Sequence, residues 1–165
     1  MISTSTKENI TIRPAVEADI PVILEMIKGL AEYEKLLDNV KASEENLRKH
    51  IFGSDKFVYV WIAEFDTIVA GHLIYFRNFS TFLANPGLYI EELYVKPEFR
   101  AKGIGKRLLQ KAIEIALGNK YGRVEWAVLD WNEKAIEFYK SMQAIPMDDW
   151  KIFRISADKF EDILT

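Results

Sequence analysis

Apolar residues recur along this chain with two periods, and the changes of period mark its elements. Between Asp19 and Glu34, Ile20, Ile23, Leu24, Ile27 and Leu30 fall at helical spacing, with Asp19 as a cap and Pro21 in the first turn. Gly29 interrupts this face at a cost of roughly 1 kcal/mol against alanine, which marks a close approach or a break. Thr11-Ile12-Arg13-Pro14 predicts a first strand ended by proline, and Ser43 opens a short helix through His50. Phe57 to Ala63 and Ile68 to Phe76 are aromatic and β-branched around Phe65-Asp66-Thr67, which predicts a hairpin. Asn78 to Pro86 reads as a loop. Leu88 to Val95 predicts a buried central strand, and Gly103 to Leu117 an amphipathic helix stopped by Gly118-Asn119. Arg123 to Leu129 predicts another strand, followed by a helix from Asn132 with Ala135, Phe138, Tyr139 and Met142 on one face. Ala144 to Met147 and Trp150 to Ile155 predict two last strands before a short terminal helix.

With no internal repeat or linker, this order predicts one mixed α/β (α+β) domain over residues 10–165, with residues 1–9 as a loose polar tail. The 165 residues, 49% hydrophobic and 28% charged, suit one globular core. No apolar run approaches the roughly 18 residues of a membrane span, so no membrane partner is expected. The absence of cysteine removes a disulfide framework, a thiolate nucleophile and a cysteine zinc site, and is compatible with a cytoplasmic protein. His50 and His72 are distant in sequence and share no third partner, so no metal is expected. A net charge of −3 argues against nucleic-acid binding through a basic surface. It suits an anionic cofactor at one local basic turn, with a cationic substrate nearby.

That turn is Arg100-Ala101-Lys102-Gly103-Ile104-Gly105, between the central strand and the long helix. Gly103 and Gly105 let backbone N–H groups approach an anion, and the first N–H groups of the helix lack intrahelical partners. Arg100, Lys102, Lys106 and Arg107 add positive charge. Two glycines alone would fit an ordinary strand-to-helix turn with surface lysines; the four basic residues around them favour a phosphate ligand. The string is not a P-loop, and Leu108 stands where a dinucleotide fingerprint needs its third glycine. The second informative segment is Asn132-Glu133-Lys134-Ala135-Ile136-Glu137-Phe138-Tyr139, which also reads as a capped amphipathic helix.

Arg100, Gly103 and Gly105 resemble the Arg/Gln-x-x-Gly-x-Gly/Ala turn of the GCN5-related N-acetyltransferases, and Asn132, Ala135, Phe138 and Tyr139 resemble that family's Asn-x-x-Ala-x-x-Phe-Tyr pattern. The resemblance implies the family's fold, a mixed, mostly antiparallel central sheet flanked by helices. It implies acetyl-coenzyme A as cosubstrate, held by the turn from Arg100 through Ala101, Lys102, Gly103, Ile104 and Gly105 to Lys106, and by Asn132, Ala135 and Tyr139. Backbone groups of Leu93, Tyr94 and Val95 would hold the acetyl carbonyl and stabilise its developing charge. Tyr139 would protonate the departing thiolate: a phenol of pKa about 10 is protonated at neutral pH, and a thiol titrates near 8.5.

Glu91 and Glu92 sit in the predicted central strand, where adjacent side chains point to opposite faces, so one can face the substrate cleft. An alkylammonium of pKa about 10.4 must lose a proton before it attacks, and Glu91 is the candidate base. Glu32, Glu34, Trp126, Trp131 and Asp148-Asp149-Trp150 are candidate walls of an amine pocket, each also readable as a surface acid or core tryptophan.

Across nearly its whole length the chain resembles the spermidine/spermine (diamine) acetyltransferase branch, from Ile12-Arg13-Pro14-Ala15 through Ala31-Glu32-Tyr33-Glu34 and Leu88-Tyr89-Ile90-Glu91-Glu92 to Trp131-Asn132-Glu133 and Trp150. That likeness implies a homodimer, with Lys28, Glu91, Glu92, Asp148, Asp149 and Trp150 lining the amine site. Gly29 replaces a glutamate of the eukaryotic polyamine enzymes, Glu92 replaces their aspartate, and the loop at Asn78–Leu83 differs. The expected acceptor is the primary amine of a small diamine, polyamine or thialysine-like molecule. The alternatives are a peptide or protein amine, or a non-catalytic acyl-coenzyme A-binding module.

Overall fold

The computed structural model describes residues 9–164; the tail expected at 1–9 lies, apart from Asn9, outside the described residues. In chain order come β1 (Ile10–Pro14), α1 (Ile20–Tyr33), α2 (Glu44–Ile51), β2 (Tyr59–Phe65), β3 (Ile68–Ser80), β4 (Asn85–Val95), α3 (Ile104–Gly118), β5 (Val124–Trp126), α4 (Glu133–Ser141) and α5 (Phe160–Leu164). The chain clusters into two compact units, Met1–Ala127 and Val128–Thr165.

The first unit is built on one five-stranded sheet in the order β1-β2-β3-β4-β5. Neighbours from β1 to β4 are antiparallel and β5 runs parallel to β4, which is the mixed, mostly antiparallel sheet expected. Strand alternation divides the apolar residues between two faces. Val60 and Ile62 of β2 and Ile74 of β3 join Ile20, Ile23 and Met26 of α1 in one buried cluster. Trp61 lies on the opposite face, where Lys111 of α3 covers its ring at 4.7 Å. Ile104, Leu108, Leu109, Ala112 and Ala116 are the buried positions of α3, spaced as its amphipathic pattern requires.

Arg13 closes the α1 layer onto the sheet edge. Its guanidinium donates to both carboxylate oxygens of Asp19, at 2.7 and 2.9 Å, and its Nε donates to Glu64 at 2.8 Å. The Val16 N–H also donates to Asp19, so the expected cap residue stands at the N-cap position, but its carboxylate makes no cap bond to α1 and instead orders the residues before the helix. The Arg13 hydrogen bonds hold the Asp19 carboxyl below its ordinary value of 3.8. A depressed folded pKa contributes stability above the unfolded value and loses it as pH falls through the folded one. Asp19→Asn is therefore expected to lower unfolding free energy by roughly 1.5–3 kcal/mol at pH 7, the usual worth of a charged hydrogen bond. Urea unfolding of both proteins should show that gap shrinking below pH ~4. A gap independent of pH would mean that the pair adds nothing beyond packing.

Two expectations are corrected in this unit. The loop expected at Asn78–Pro86 is mostly ladder: Asn78 pairs with Gly87, Phe79 with Pro86 and Ser80 with Asn85. Cross-strand pairing overrides the turn preference of Asn, Ser and Pro, leaving 81–84 as the connection, with Ala84 left-handed at φ +46°. The strand expected at Arg123–Leu129 is only the three residues of β5.

In the second unit α4 forms as expected, its first turn capped by Asn132, whose side chain accepts from the Ala135 N–H at 3.3 Å. The two last strands expected at 144–147 and 150–155 do not form; this stretch carries no ladder among the described residues. Apolar alternation reports which faces a segment can bury, whereas a strand also needs a paired neighbour. Here Pro146 lacks a donor and the Trp150 N–H closes a turn onto Met147 at 3.1 Å.

Candidate active site

The strand-to-helix turn has the geometry of an anion cradle. After β4 a 3-10 turn at Pro97–Phe99 leads into Ala101 at φ +61° and Gly103 at φ +83°, both left-handed. Alanine adopts that region only against strain of order 1 kcal/mol, which the sequence does not announce. Gly103 caps α3 without a side-chain hydrogen bond, and the first cap-to-helix bond is Arg107 N–H to Gly103 O at 3.1 Å. The N–H groups of Ile104, Gly105 and Lys106 thus open the helix with no intrahelical acceptor, at the positive end of its dipole. A Cβ built on Gly103 would meet no atom within 4 Å, so the space beside the turn is open. A pyrophosphate fits this place.

The basic residues do not all converge on it. Arg100 donates from Nε to Val95 O at 3.0 Å, and its guanidinium lies over the rings of Tyr33 at 4.8 Å and Tyr94 at 5.9 Å. Arg100 therefore ties the end of α1 to β4. Lys102 covers the Phe65 ring at 4.8 Å, while Lys106 is exposed.

β4 carries the second half of this region. Its parallel pairing with β5 ends at Ile90 and Trp126, yet β4 continues to Val95. On that side Leu93, Tyr94 and Val95 have no strand partner among the described residues. Such an edge offers N–H and C=O groups to an extended, amide-bearing ligand, and an acyl-pantetheine arm is one.

A β-bulge on the same strand re-aims its carboxylates. Tyr75 pairs with Ile90 and Ile74 pairs with Glu92, leaving Glu91 as the extra residue. The bulge reverses the alternation: Ile90 lies on the face of Tyr75, and Glu92 on the α1 face of Ile74. Two successive side chains must then share a side. Glu91 is one of that pair, and its charge, after burial, raises the Tyr89 phenol. The simple alternation on which the expectation of two opposite-facing glutamates rests is therefore interrupted at this step.

Glu91 is exposed, whereas Glu92 is mostly covered and its Oε1 lies 2.6 Å from Nε2 of the fully buried His72. Burial, and then the charge of Glu92, raises the Glu34 carboxyl above 4.5. The Tyr94 phenol is pushed up mainly by burial. A Cβ built on Gly29 would come within 2.6 Å of the Tyr94 hydroxyl, which identifies the close approach that Gly29 allows. Lys28 is exposed on α1. Sequence reasoning missed the bulge and the His72–Glu92 pair; the one available signal was His72 within an otherwise apolar strand.

Within 128–164, Tyr139 is half-buried on α4 with its ring 5.2 Å from that of Phe138. Asn132 and Ala135 share the cap bond, and Asp148, Asp149 and Trp150 are exposed. Among the described residues no three His, Cys, Asp or Glu side chains gather as metal ligands, and no helix is long and apolar enough to cross a membrane.

Residues 25–143 match the model of the acetyltransferase (GNAT) family. The chain is 37% identical over 166 residues to thialysine N-epsilon-acetyltransferase of Sus scrofa, covering 94% of this chain and 97% of that protein. It is 30% identical over 197 residues to L-ornithine N5-acetyltransferase of Arabidopsis thaliana, covering 92% and 86%. In fold it is similar to an integron cassette protein from the mobile metagenome of V. cholerae, with a TM-score of 0.77 at 23% identity over 94% of this chain and 97% of that one. The chain belongs to the GNAT family. It is an N-acetyltransferase whose acetyl donor is acetyl-coenzyme A.

Proposed function

We propose that this enzyme acetylates the primary amine of a small diamine, polyamine or lysine-like molecule by direct attack in a ternary complex, with residues 10–165 acting as one acetyltransferase domain. The observation that carries this reading is the bulge that leaves Glu91 as an extra residue of β4 beside Glu92, with the Glu34 carboxyl raised by burial and then by the Glu92 charge. Neighbouring carboxylates repel unless a cation lies among them, and a substrate ammonium is such a cation. The similarity to thialysine and ornithine acetyltransferases supports the same class of acceptor.

The chemistry balances on this chain's residues. Glu91, directly or through water, takes a proton from the ammonium; the free nitrogen forms its bond to the acetyl carbon; the carbon–sulfur bond breaks as Tyr139 gives its proton to the thiolate; and the second proton of the acylated nitrogen leaves through water to restore the Tyr139 phenol. Leu93, Tyr94 and Val95 offer backbone groups to the carbonyl, while the 100–106 turn, Asn132 and Ala135 hold the coenzyme A moiety. Lys28, Asp148, Asp149 and Trp150 complete the amine site in this reading. The enzyme acts as a homodimer in the cytoplasm, where acetyl-coenzyme A is supplied.

A thiol-release assay across diamines, spermidine, ornithine, thialysine and short peptides tests the proposal. Turnover with small amines supports it; turnover with peptides alone makes the acceptor a protein amine, and none at all overturns the small-amine reading. Glu91→Gln is expected to lower turnover about 10²-fold, the low end of the span for a positioned base, because water reaches this exposed side chain. The loss should be greatest at low pH, where free amine is scarce, with acetyl-coenzyme A affinity unchanged. A pH–rate profile of unaltered height and shape would remove Glu91 from the mechanism.

A further inference from the structure

His72 is the polar residue that β3 buries completely, and packing does not explain it. Its cross-strand neighbours are Ile62 and Tyr94, and the Tyr94 ring centre lies 6.1 Å away. Phenylalanine would fill such a place without a polar atom. The imidazole instead leaves Nδ1 buried without a hydrogen-bond partner, an arrangement that opposes folding. What it adds is the 2.6 Å contact from Nε2 to Glu92 Oε1. A carboxylate only accepts, so in the neutral ring the N–H sits on Nε2 and the bare acceptor is Nδ1.

Glu92 needs such a partner. The bulge turns it to the α1 face, where the Glu34 carboxyl feels its charge. Unrestrained, its flexible side chain would swing away from that like charge. Among the described residues the His72 contact is its one hydrogen bond, made by Oε1 and leaving Oε2 without a hydrogen-bond partner.

We propose that His72 is a positioning residue that clamps Oε1 of Glu92, so that Oε2 is presented in a fixed orientation to the ammonium group of the amine substrate. This rests on the reading above, in which the amine lodges beside Glu92. The fixed carboxylate makes amine recognition depend on a residue that never touches the amine. Coenzyme A binding, which uses the edge of β4 and the N-terminus of α3, does not depend on it.

Steady-state kinetics of His72→Phe and His72→Gln, with an amine that the wild type acetylates, test the clamp. His72→Phe keeps a planar ring and removes the donor. It should raise the amine KM about tenfold, the scale of one charge-assisted hydrogen bond, with kcat and the acetyl-coenzyme A KM near wild type. The Gln amide nitrogen falls near the place of Nε2, so His72→Gln should restore the amine KM. Nitrogen-15 NMR of the free protein should show the Nε2–H tautomer, with the Nε2 proton shifting in Glu92→Gln. That arm reads the clamp without substrate, so it separates failure of this proposal from failure of the acceptor assignment. A neutral ring with its proton on Nδ1 overturns the clamp, as does a wild-type amine KM in His72→Phe. Equal loss in Phe and Gln, or a parallel rise in the acetyl-coenzyme A KM, also overturns it and makes His72 purely structural.

Discussion

Gly103→Val should abolish acetyl-coenzyme A binding and leave a folded protein. Gly103 sits at φ +83° at the head of α3, and a Cβ there would meet open space. No neighbouring atom resists the new side chain, so what it occupies is room that a pyrophosphate would take beside the N–H groups of Ile104, Gly105 and Lys106. The helix itself is anchored further along by Leu108, Leu109 and Ala112 on the sheet, so the fold should persist. A left-handed valine is strained by roughly 1–3 kcal/mol, and that strain could displace the turn by itself. Gly103→Asn separates the two causes, because asparagine tolerates this backbone while still filling the space. Calorimetry should find no measurable affinity in the valine variant and strongly reduced affinity in the asparagine variant. Unchanged affinity in a folded Gly103→Val protein would take the pyrophosphate away from this turn.

The parts of this site that could be read from sequence are those that local chemistry decides. The spacing of Ile20, Ile23 and Leu24 and of Leu108, Leu109 and Ala112 sets helical faces whatever their partners. The cap at Asn132 follows from a side-chain oxygen three residues before a free N–H. Gly29 announced a close approach, but not that Tyr94, 65 residues later, makes it. What remained hidden is set by pairing across strands. Whether Glu91 and Glu92 share a side depends on one extra residue opposite the Ile74–Tyr75 step, and no pattern within β4 counts the residues of β3. The same limit hid the partner of His72, which lies 20 positions away on the other strand. It also produced the strands expected at 144–147 and 150–155, where alternation was present and a paired neighbour was not. Arg100 shows the converse. Its place in the motif was legible, but its hold on Val95, Tyr33 and Tyr94 comes from β4 and α1 meeting in space.

Tyr139→Phe should lower single-turnover acetyl transfer by roughly 10²- to 10⁴-fold, the span typical of a positioned general acid. The substitution removes one oxygen and keeps the ring that packs 5.2 Å from Phe138, so α4 and its Asn132 cap should survive. A thiolate leaving without a proton source is a poor leaving group at neutral pH, whereas a phenol of ordinary pKa about 10 holds its proton until the sulfur can accept it. The loss should therefore fall on the chemical step, with acetyl-coenzyme A affinity near wild type. Steady-state kcat alone would understate it where product release is slow, which is why the single-turnover rate is the measurement. A complementary sign lies in the leaving group: an acyl donor whose thiol has a lower pKa needs less protonation, so Tyr139→Phe should lose less with it. Wild-type single-turnover rates in Tyr139→Phe would mean that solvent protonates the sulfur. A loss that is equal for both donors would place Tyr139 in orienting the thioester and not in proton transfer.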